Sequence, residues 1–247
     1  ANFPSDLYIL EGVNNMFGES YERCLIDESD DEIEKYIDSS TAVVVLSHIN
    51  YKTGRITDIK KITTFAHEKG ALVVWDISHS VGIFPMNLHD LGVDFAVGCT
   101  YKHLNGGPGS PGFLSVHSSL IKKVSQPLTG WLGHIKPFNF EEEYQPANDI
   151  NKFICGTPPI ISYKAIESGL EILKDLSIIE IREKSIKLSE MFIQLMQQEC
   201  TEFGFMLFSP KNSEQRGSQI SFLHENAYRI IQALISHGII GDYREPN

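Results

Sequence analysis

"TAVVVLSHINYKTGRITDIKKITTFAHEKGALVVWDIS", residues 41–78, carries the fold in miniature. Residues 41–49 are nearly all apolar, as a strand buried on both faces must be. Thr57 and Asp58 then offer a helix N-cap, Ile59, Ile62, Phe65 and Ala66 share one helical stripe, and Gly70 is placed to stop the helix. "ALVVWDIS", residues 71–78, repeats the buried-strand pattern. A strand, an amphipathic helix and a second strand in succession predict an α/β layer with parallel strands. "VDFAVGCT" (93–100) and "GFLSVH" (112–117) add a third and a fourth strand.

Past residue 125 the texture changes. Residues 126–160, "QPLTGWLGHIKPFNFEEEYQPANDINKFICGTPPI", are too long for an ordinary connection, and long ordered loops usually carry function. Helices are expected over roughly 159–175 and 178–200. "FMLFS" (205–209), "QISFLH" (219–224), a helix from Asn226 to His237 and a strand in "IIGDYR" (239–244) then predict β-β-α-β. The division expected is 1–157 for a large domain with a mostly parallel sheet, and 158–247 for connecting helices and part of a small α+β domain. The opening Ala1-Asn2-Phe3-Pro4 lacks a methionine and the chain stops just after "IIGDYR", so both ends read as cut.

Of the 247 residues, 32 are acidic and 21 basic, and the net charge of -11 argues against nucleic acid or an anionic membrane as the main partner. No apolar run approaches the ~20 residues of a membrane helix, so a soluble, cytoplasmic protein is expected. Cys24, Cys99, Cys155 and Cys200 form no C-x-x-C pair and lie largely in apolar or helical surroundings, which reads as reduced thiols.

In an open parallel sheet, ligands sit beyond the carboxyl ends of the strands. Asp76 closes one strand, with His79 three residues on, and Lys102 follows another in "VGCTYKHLNGGPGSPG", residues 97–112. An aspartate and a lysine on neighbouring strand ends, with glycines that admit close backbone approach, are what a pyridoxal phosphate site requires. The amine must lose its proton to attack an aldehyde, and the carboxylate keeps the pyridine nitrogen protonated so that the ring accepts electrons. Either residue alone is weak, because loop lysines are usually solvated and strand-end aspartates usually cap turns. "NGGPGSPG" lacks the G-K-[ST] of a nucleotide P-loop, and "SHS" is no metal cluster.

Phe3-Pro4-Ser5-Asp6, Asp76-Ile77-Ser78-His79, Tyr101-Lys102-His103-Leu104-Asn105-Gly106-Gly107-Pro108-Gly109, Gly130-Trp131-Leu132-Gly133-His134 and Cys155-Gly156-Thr157-Pro158-Pro159 resemble kynureninase, in that order and across essentially the whole chain. The resemblance implies a fold-type I pyridoxal 5'-phosphate enzyme of the class-V aminotransferase kind. It implies that Lys102 forms the Schiff base, Asp76 pairs with the pyridine nitrogen and Phe3 stacks on the ring, with Pro4, Ser5 and Asp6 of that motif, Ser47 and His79 completing the pocket. Tyr101 would contact the phosphate and donate a proton. Trp131 and Thr157 would reach the phosphate from the partner subunit of a homodimer, while His103 and His134 carry weaker signals.

The reaction implied is hydrolysis of the Cβ–Cγ bond of L-kynurenine to anthranilate and L-alanine, a step of tryptophan catabolism. Thr157 resembles the kynurenine-preferring rather than the 3-hydroxykynurenine-preferring type. The family has a long segment before Phe-Pro-Ser-Asp, with a threonine pair in a phosphate loop, and a carboxylate-binding arginine later on. The resemblance therefore implies that this stretch, by itself, is inactive. The alternatives are a cysteine desulfurase or other class-V aminotransferase-like enzyme, which in the first case needs a catalytic cysteine on a flexible loop, and a non-catalytic protein that retains the fold.

Overall fold

The computed structural model describes residues 2–26 and 32–245. The unit read from residues 41–78 is present: β1 (Val43–Ser47), α2 (Ile59–Glu68) and β2 (Leu72–Asp76), preceded by a helix α1 (Pro4–Met16). The Asp58 carboxylate caps α2 by accepting from the Lys61 amide at 2.9 Å. Ile59, Ile62, Thr63 and Ala66 form the buried stripe, and Gly70 turns the chain at φ +86°. β3 (Phe95–Cys99) and β4 (Gly112–Val116) follow, in the sheet order β1-β2-β3-β4.

β1, β2 and β3 are parallel, and β4 runs antiparallel to β3. Side chains alternate along a strand, so Val73, Trp75 and Ile77 enter the core beside α2 while Asp76 faces the other way. The Trp75 indole is fully buried and donates to the Thr63 hydroxyl at 2.9 Å. Asp94, just before β3, accepts from the Val73 amide at 2.9 Å and pairs with His67 at 2.7 Å, which locks the start of β2 to β3 and α2.

The second half holds α3 (Ser118–Ile121), α4 (Ile160–Leu173), α5 (Ile178–Glu199), β5 (Met206–Leu207), β6 (Phe222–Leu223) and α6 (Ala227–Ser236). β5 and β6 pair antiparallel as two-residue strands. Arg216, almost wholly buried, donates to the carbonyls of Pro210 and Lys211 and to Glu190, so the link between them is tied to α5.

Three expectations are corrected, and one helix was not expected. β1 is an edge strand of this sheet, with Val43 46% exposed, rather than buried on both faces. "IIGDYR" is no strand: residues 239–244 are irregular, and no described strand pairs with them. Helix α1, unread from the sequence, starts with Pro4 in its first turn and buries none of its own residues, so its apolar positions gave no one-sided stripe. Cys24 and Cys155 are exposed, not sheltered, although all four cysteines are free. Among the described residues, no helix is long and apolar enough to cross a membrane.

His48, just after β1, is buried, bonds Ser80 Oγ through Nδ1 at 2.7 Å and meets the Phe84 ring edge-on at 5.0 Å. Burial first, then the Arg182 guanidinium, pushes its pKa down from 6.5 to about 4, with Asp58 opposing. The native state therefore binds fewer protons than the unfolded chain between these values. Its stabilising effect is complete above pH 6.5 and is lost as pH falls toward 4. Chemical denaturation across this window is expected to show a loss of up to about 3 kcal/mol from this group, and His48→Gln to flatten the profile.

Candidate active site

Each parallel strand delivers one group to the carboxyl end of the sheet. The register places Ser47 beside Asp76 and Asp76 beside Val97. Asp76 Oδ1 accepts from the Ser78 amide at 2.8 Å, and Ser78 Oγ accepts from the Cys99 amide at 3.2 Å, so the ends of β2 and β3 are tied to each other. The turn that follows presents His79. Beyond β3, the amides of Asn105 and Gly106 donate to the carbonyls of Lys102 (3.1 Å) and Thr100 (2.9 Å), folding residues 100–106 into a tight loop.

Two close approaches explain the glycines there. A Cβ on Gly106 would lie 2.9 Å from both the Thr100 carbonyl and Ser110 Oγ, and one on Gly169 of α4 would lie 2.6 Å from the Asn105 carbonyl. The loop is thus pinched between its own return and α4, and Lys102 projects from it. Its Nζ donates to His79 Nε2 at 2.9 Å.

Burial, then Lys102 and His103, push the His79 pKa down to about 4, with Asp76 opposing and Arg244 adding to the depression. The imidazole is neutral near pH 7, and with Nε2 accepting from the amine its proton sits on Nδ1. His103 is held below its ordinary value by burial and by Lys102. Asp6, in the first turn of α1, is raised by burial and by Asp76, against the Asn2 amide (3.1 Å) and Lys102, which lower it. Lys102 and Asp76 therefore act on the same two neighbours, Asp6 and His79, and lie at one end of the sheet.

Tyr101 is 52% exposed, and partial burial, the Cys99 sulfur and Asp76 raise its pKa above 10, with Arg244 opposing. Phe3 caps α1, is 41% exposed and meets the Tyr51 ring edge-on at 5.0 Å. Pro4 occupies the first helical turn, and Ser5 is exposed. A cleft of about 1350 Å³ between α1 and β1 reaches the site through Asn2, Ser47 and Asn50, but Lys102 and Asp76 do not line it.

Trp131 and Thr157 share the long loop and, among the described residues, no hydrogen bond, ion pair or ring contact joins either to Lys102, Asp76 or Tyr101. That loop is held from beneath by buried Lys152, which donates to the carbonyls of Ile121 and Val124, and by Gln126, which donates to the Lys152 carbonyl at 3.0 Å. Trp131 stacks on Phe140 at 6.2 Å and meets Phe138 edge-on at 5.7 Å. His134 is buried, accepts from the Lys136 amide through Nδ1 at 2.9 Å, and faces Tyr144.

Three neighbours of the site escaped the sequence reading. Cys99 lies against Tyr101, Arg244 acts on both His79 and Tyr101, and Tyr51 packs on Phe3. Cys99 sits two residues from Tyr101 in a quoted motif and was legible by spacing. Arg244 and Tyr51 are brought in by tertiary folding alone.

The sequence profile of the aminotransferase class-V family matches residues 20–240. The chain belongs to the aminotransferase class-V family. It is 47% identical over 246 residues to a kynureninase of Pseudomonas fluorescens, and 43% identical over 246 residues to a kynureninase of Burkholderia pseudomallei. Each alignment takes in 100% of this chain and 59% of the relative, so the chain spans about three fifths of the length of the curated relatives it matches.

Among solved structures, the apo cysteine desulfurase of Thermococcus onnurineus superposes with a TM-score of 0.77 at 21% identity, over 96% of this chain and 58% of that one. A mutant of C-DES with glycine covalently linked to its PLP cofactor superposes with a TM-score of 0.78 at 17% identity, over 97% and 64%. The architecture is accordingly the α/β fold-type I of this family, with a mostly parallel sheet and part of the domain represented.

Gly130 supplies a test of the long loop. Its backbone is extended, which any residue can adopt, but an added Cβ would fall 1.5 Å from the Cys155 carbonyl oxygen. Gly130→Ala is expected to force the 130 and 155 strands of the loop apart, costing about 2 kcal/mol or more in denaturant titration and changing Trp131 fluorescence.

Proposed function

We propose that the protein containing this chain is a pyridoxal 5'-phosphate-dependent kynureninase, cleaving the Cβ–Cγ bond of L-kynurenine to anthranilate and L-alanine. The observation that carries the reading is the Lys102 amine 2.9 Å from His79, on loops that follow adjacent parallel strands, with Asp76 acting on the same imidazole. The amine, the strand-end carboxylate, the exposed Phe3 face and a loop too tight for a Cβ at Gly106 fit that cofactor. The 47% identity to a kynureninase along the whole chain supports the same substrate class.

In this reading Lys102 would hold the cofactor, Asp76 would keep its pyridine nitrogen protonated and Phe3 would stack on its ring. Ser47, His79 and the Pro4-Ser5-Asp6 turn complete that pocket, with Tyr101 toward the phosphate. When bound, the cofactor supplies an electron sink for a carbanion at the amino acid Cα. Once the substrate amine has displaced it from the cofactor, the freed Lys102 amine would take the proton from that carbon, and neutral His79 would keep Nζ aimed by accepting its hydrogen bond. Water adds to the γ-carbonyl and anthranilate departs, leaving the bonding pair on Cβ; Tyr101, whose phenol is protonated at neutral pH with its pKa raised, would supply the proton to that carbon.

Trp131 and Thr157 reach the phosphate across a homodimer interface. The exposed cluster of Trp131, Phe138 and Phe140 supports that interface, since apolar patches on a soluble surface mark association sites. Thr157 at the edge of the site favours kynurenine over its 3-hydroxy derivative, and the protein works in the cytosol.

The full-length protein is expected to show a visible absorbance band bleached by borohydride and to release fluorescent anthranilate from kynurenine. Lys102→Ala abolishes both, and Tyr101→Phe lowers kcat by about 100-fold or more while leaving the band. Turnover retained in Lys102→Ala refutes the assignment. Sulfur release from cysteine that is lost on alkylating Cys155 identifies a desulfurase instead, and absence of the band identifies a non-catalytic relative.

A further inference from the structure

We propose that Gln219 is a positioning residue for the cofactor ring: it fixes the turn at residues 50–54, the turn fixes Tyr51, and Tyr51 fixes Phe3. The inference rests on the reading of Phe3 as the ring's stacking partner. Gln219 opens the stretch "QISFLH" read as a strand, lies outside the motifs that carry the resemblance, and precedes β6 in the second half of the chain.

The contacts run in one line. The turn is closed from within by Asn50, whose Oδ1 accepts from the amides of Lys52 (2.8 Å) and Thr53 (3.0 Å). From outside, Gln219 Nε2 donates to the carbonyls of Tyr51 (2.7 Å) and Lys52 (3.0 Å), and the Ser221 hydroxyl also donates to Lys52. The Gly217 amide donates to the Gly54 carbonyl at 2.7 Å, and the Ile56 amide to the Gln215 carbonyl at 2.9 Å. Gly54 stands at φ +71° with the Gln219 carbonyl 2.7 Å from where a Cβ would be, so the two segments touch backbone to backbone. Tyr51 then meets Phe3 edge-on at 5.0 Å.

Phe3 needs such an external support. It caps α1, a helix with no buried residue of its own, and its carbonyl accepts the Asp6 amide at 3.0 Å, so a shift of the Phe3 backbone also shifts Asp6. Tyr51 is the aromatic ring that touches Phe3 among the described residues. The carboxamide suits the job: its NH₂ donates to both carbonyls, with Ser221 Oγ a third acceptor at 3.1 Å, whereas a carboxylate would face the carbonyls with acceptors and a leucine would offer no donor.

The test uses the full-length protein and two variants. In the cofactor-free form, Gln219→Glu is expected to speed hydrogen exchange both at residues 50–57 and at residues 3–8. In the cofactor-loaded form it should weaken pyridoxal phosphate affinity about tenfold and reduce the circular dichroism of the visible band, with the Schiff base retained. Tyr51→Leu should give the same cofactor effects with exchange at 50–57 unchanged, and the double variant should be no worse than the more severe single one.

Faster exchange confined to 50–57, additive losses in the double variant, or unchanged affinity and dichroism each overturns the proposal. Should Gln219→Glu fail to fold, Gln219→Leu, which removes the donors without adding charge, takes its place: unchanged exchange at 3–8, affinity and dichroism overturn the proposal, and their change upholds it. A wild-type protein without a borohydride-sensitive band refutes the functional reading instead, and the exchange comparison in the cofactor-free form still decides whether Gln219 governs Phe3.

Discussion

Parallel pairing of β1, β2 and β3 places Ser47, Asp76 and Val97 at one level, two residues before β3 ends, and the site is a consequence of that alignment. Parallel strands point their carboxyl ends the same way, so the loops that follow them converge without any further instruction. What then fixes the loops is local: Ser78 bridges the ends of β2 and β3, and the Thr100–Gly106 return aims Lys102 at His79. Asp94 matters for the same reason from the far end, because it sets the level at which β2 begins against β3. Moving either strand by one residue would turn Asp76 into the core face that Trp75 occupies.

The charges at the site follow from that geometry. Two carboxylates, Asp6 and Asp76, share the neighbourhood of Lys102, with Arg244 felt by His79 and Tyr101. His79 resolves the crowding by staying neutral, since a second cation beside Lys102 would be paid for twice, in desolvation and in repulsion. A neutral imidazole can accept from the amine, whereas an imidazolium could only donate. The hydrogen bond and the depressed pKa are therefore one fact seen from two sides.

Legibility in the sequence tracked burial. β2 and α2 were readable because Val73, Trp75, Ile62 and Ala66 all face one core, and a buried face leaves a period in the sequence. Helix α1 has apolar residues on several sides and none buried, so no period marked it. "IIGDYR" has strand-like residues without a strand to pair with, and composition alone cannot supply one. At the site, Asp76, His79, Tyr101 and Lys102 were legible because short loops keep them near strand ends. Tyr51, Gln219 and Arg244 were not, because Gln219 meets Tyr51 across 168 residues and no local spacing encodes that.

The likeness to cysteine desulfurases shows how far architecture reaches. At 21–22% identity the shared feature is the fold, and a fold does not choose a reaction. Residues 126–160 carry Cys155, the cysteine that the desulfurase alternative would have to use. Cys155 is exposed, yet its thiol donates to the Leu128 carbonyl at 2.9 Å and its backbone is pressed against Gly130 with no room for a methyl group. The segment that carries it is further tied through Gln126 and Lys152 to the carbonyls below. Cys155 is thus held both by its thiol and by its backbone, and the same contacts fix the segments of the loop on which Trp131 and Thr157 lie.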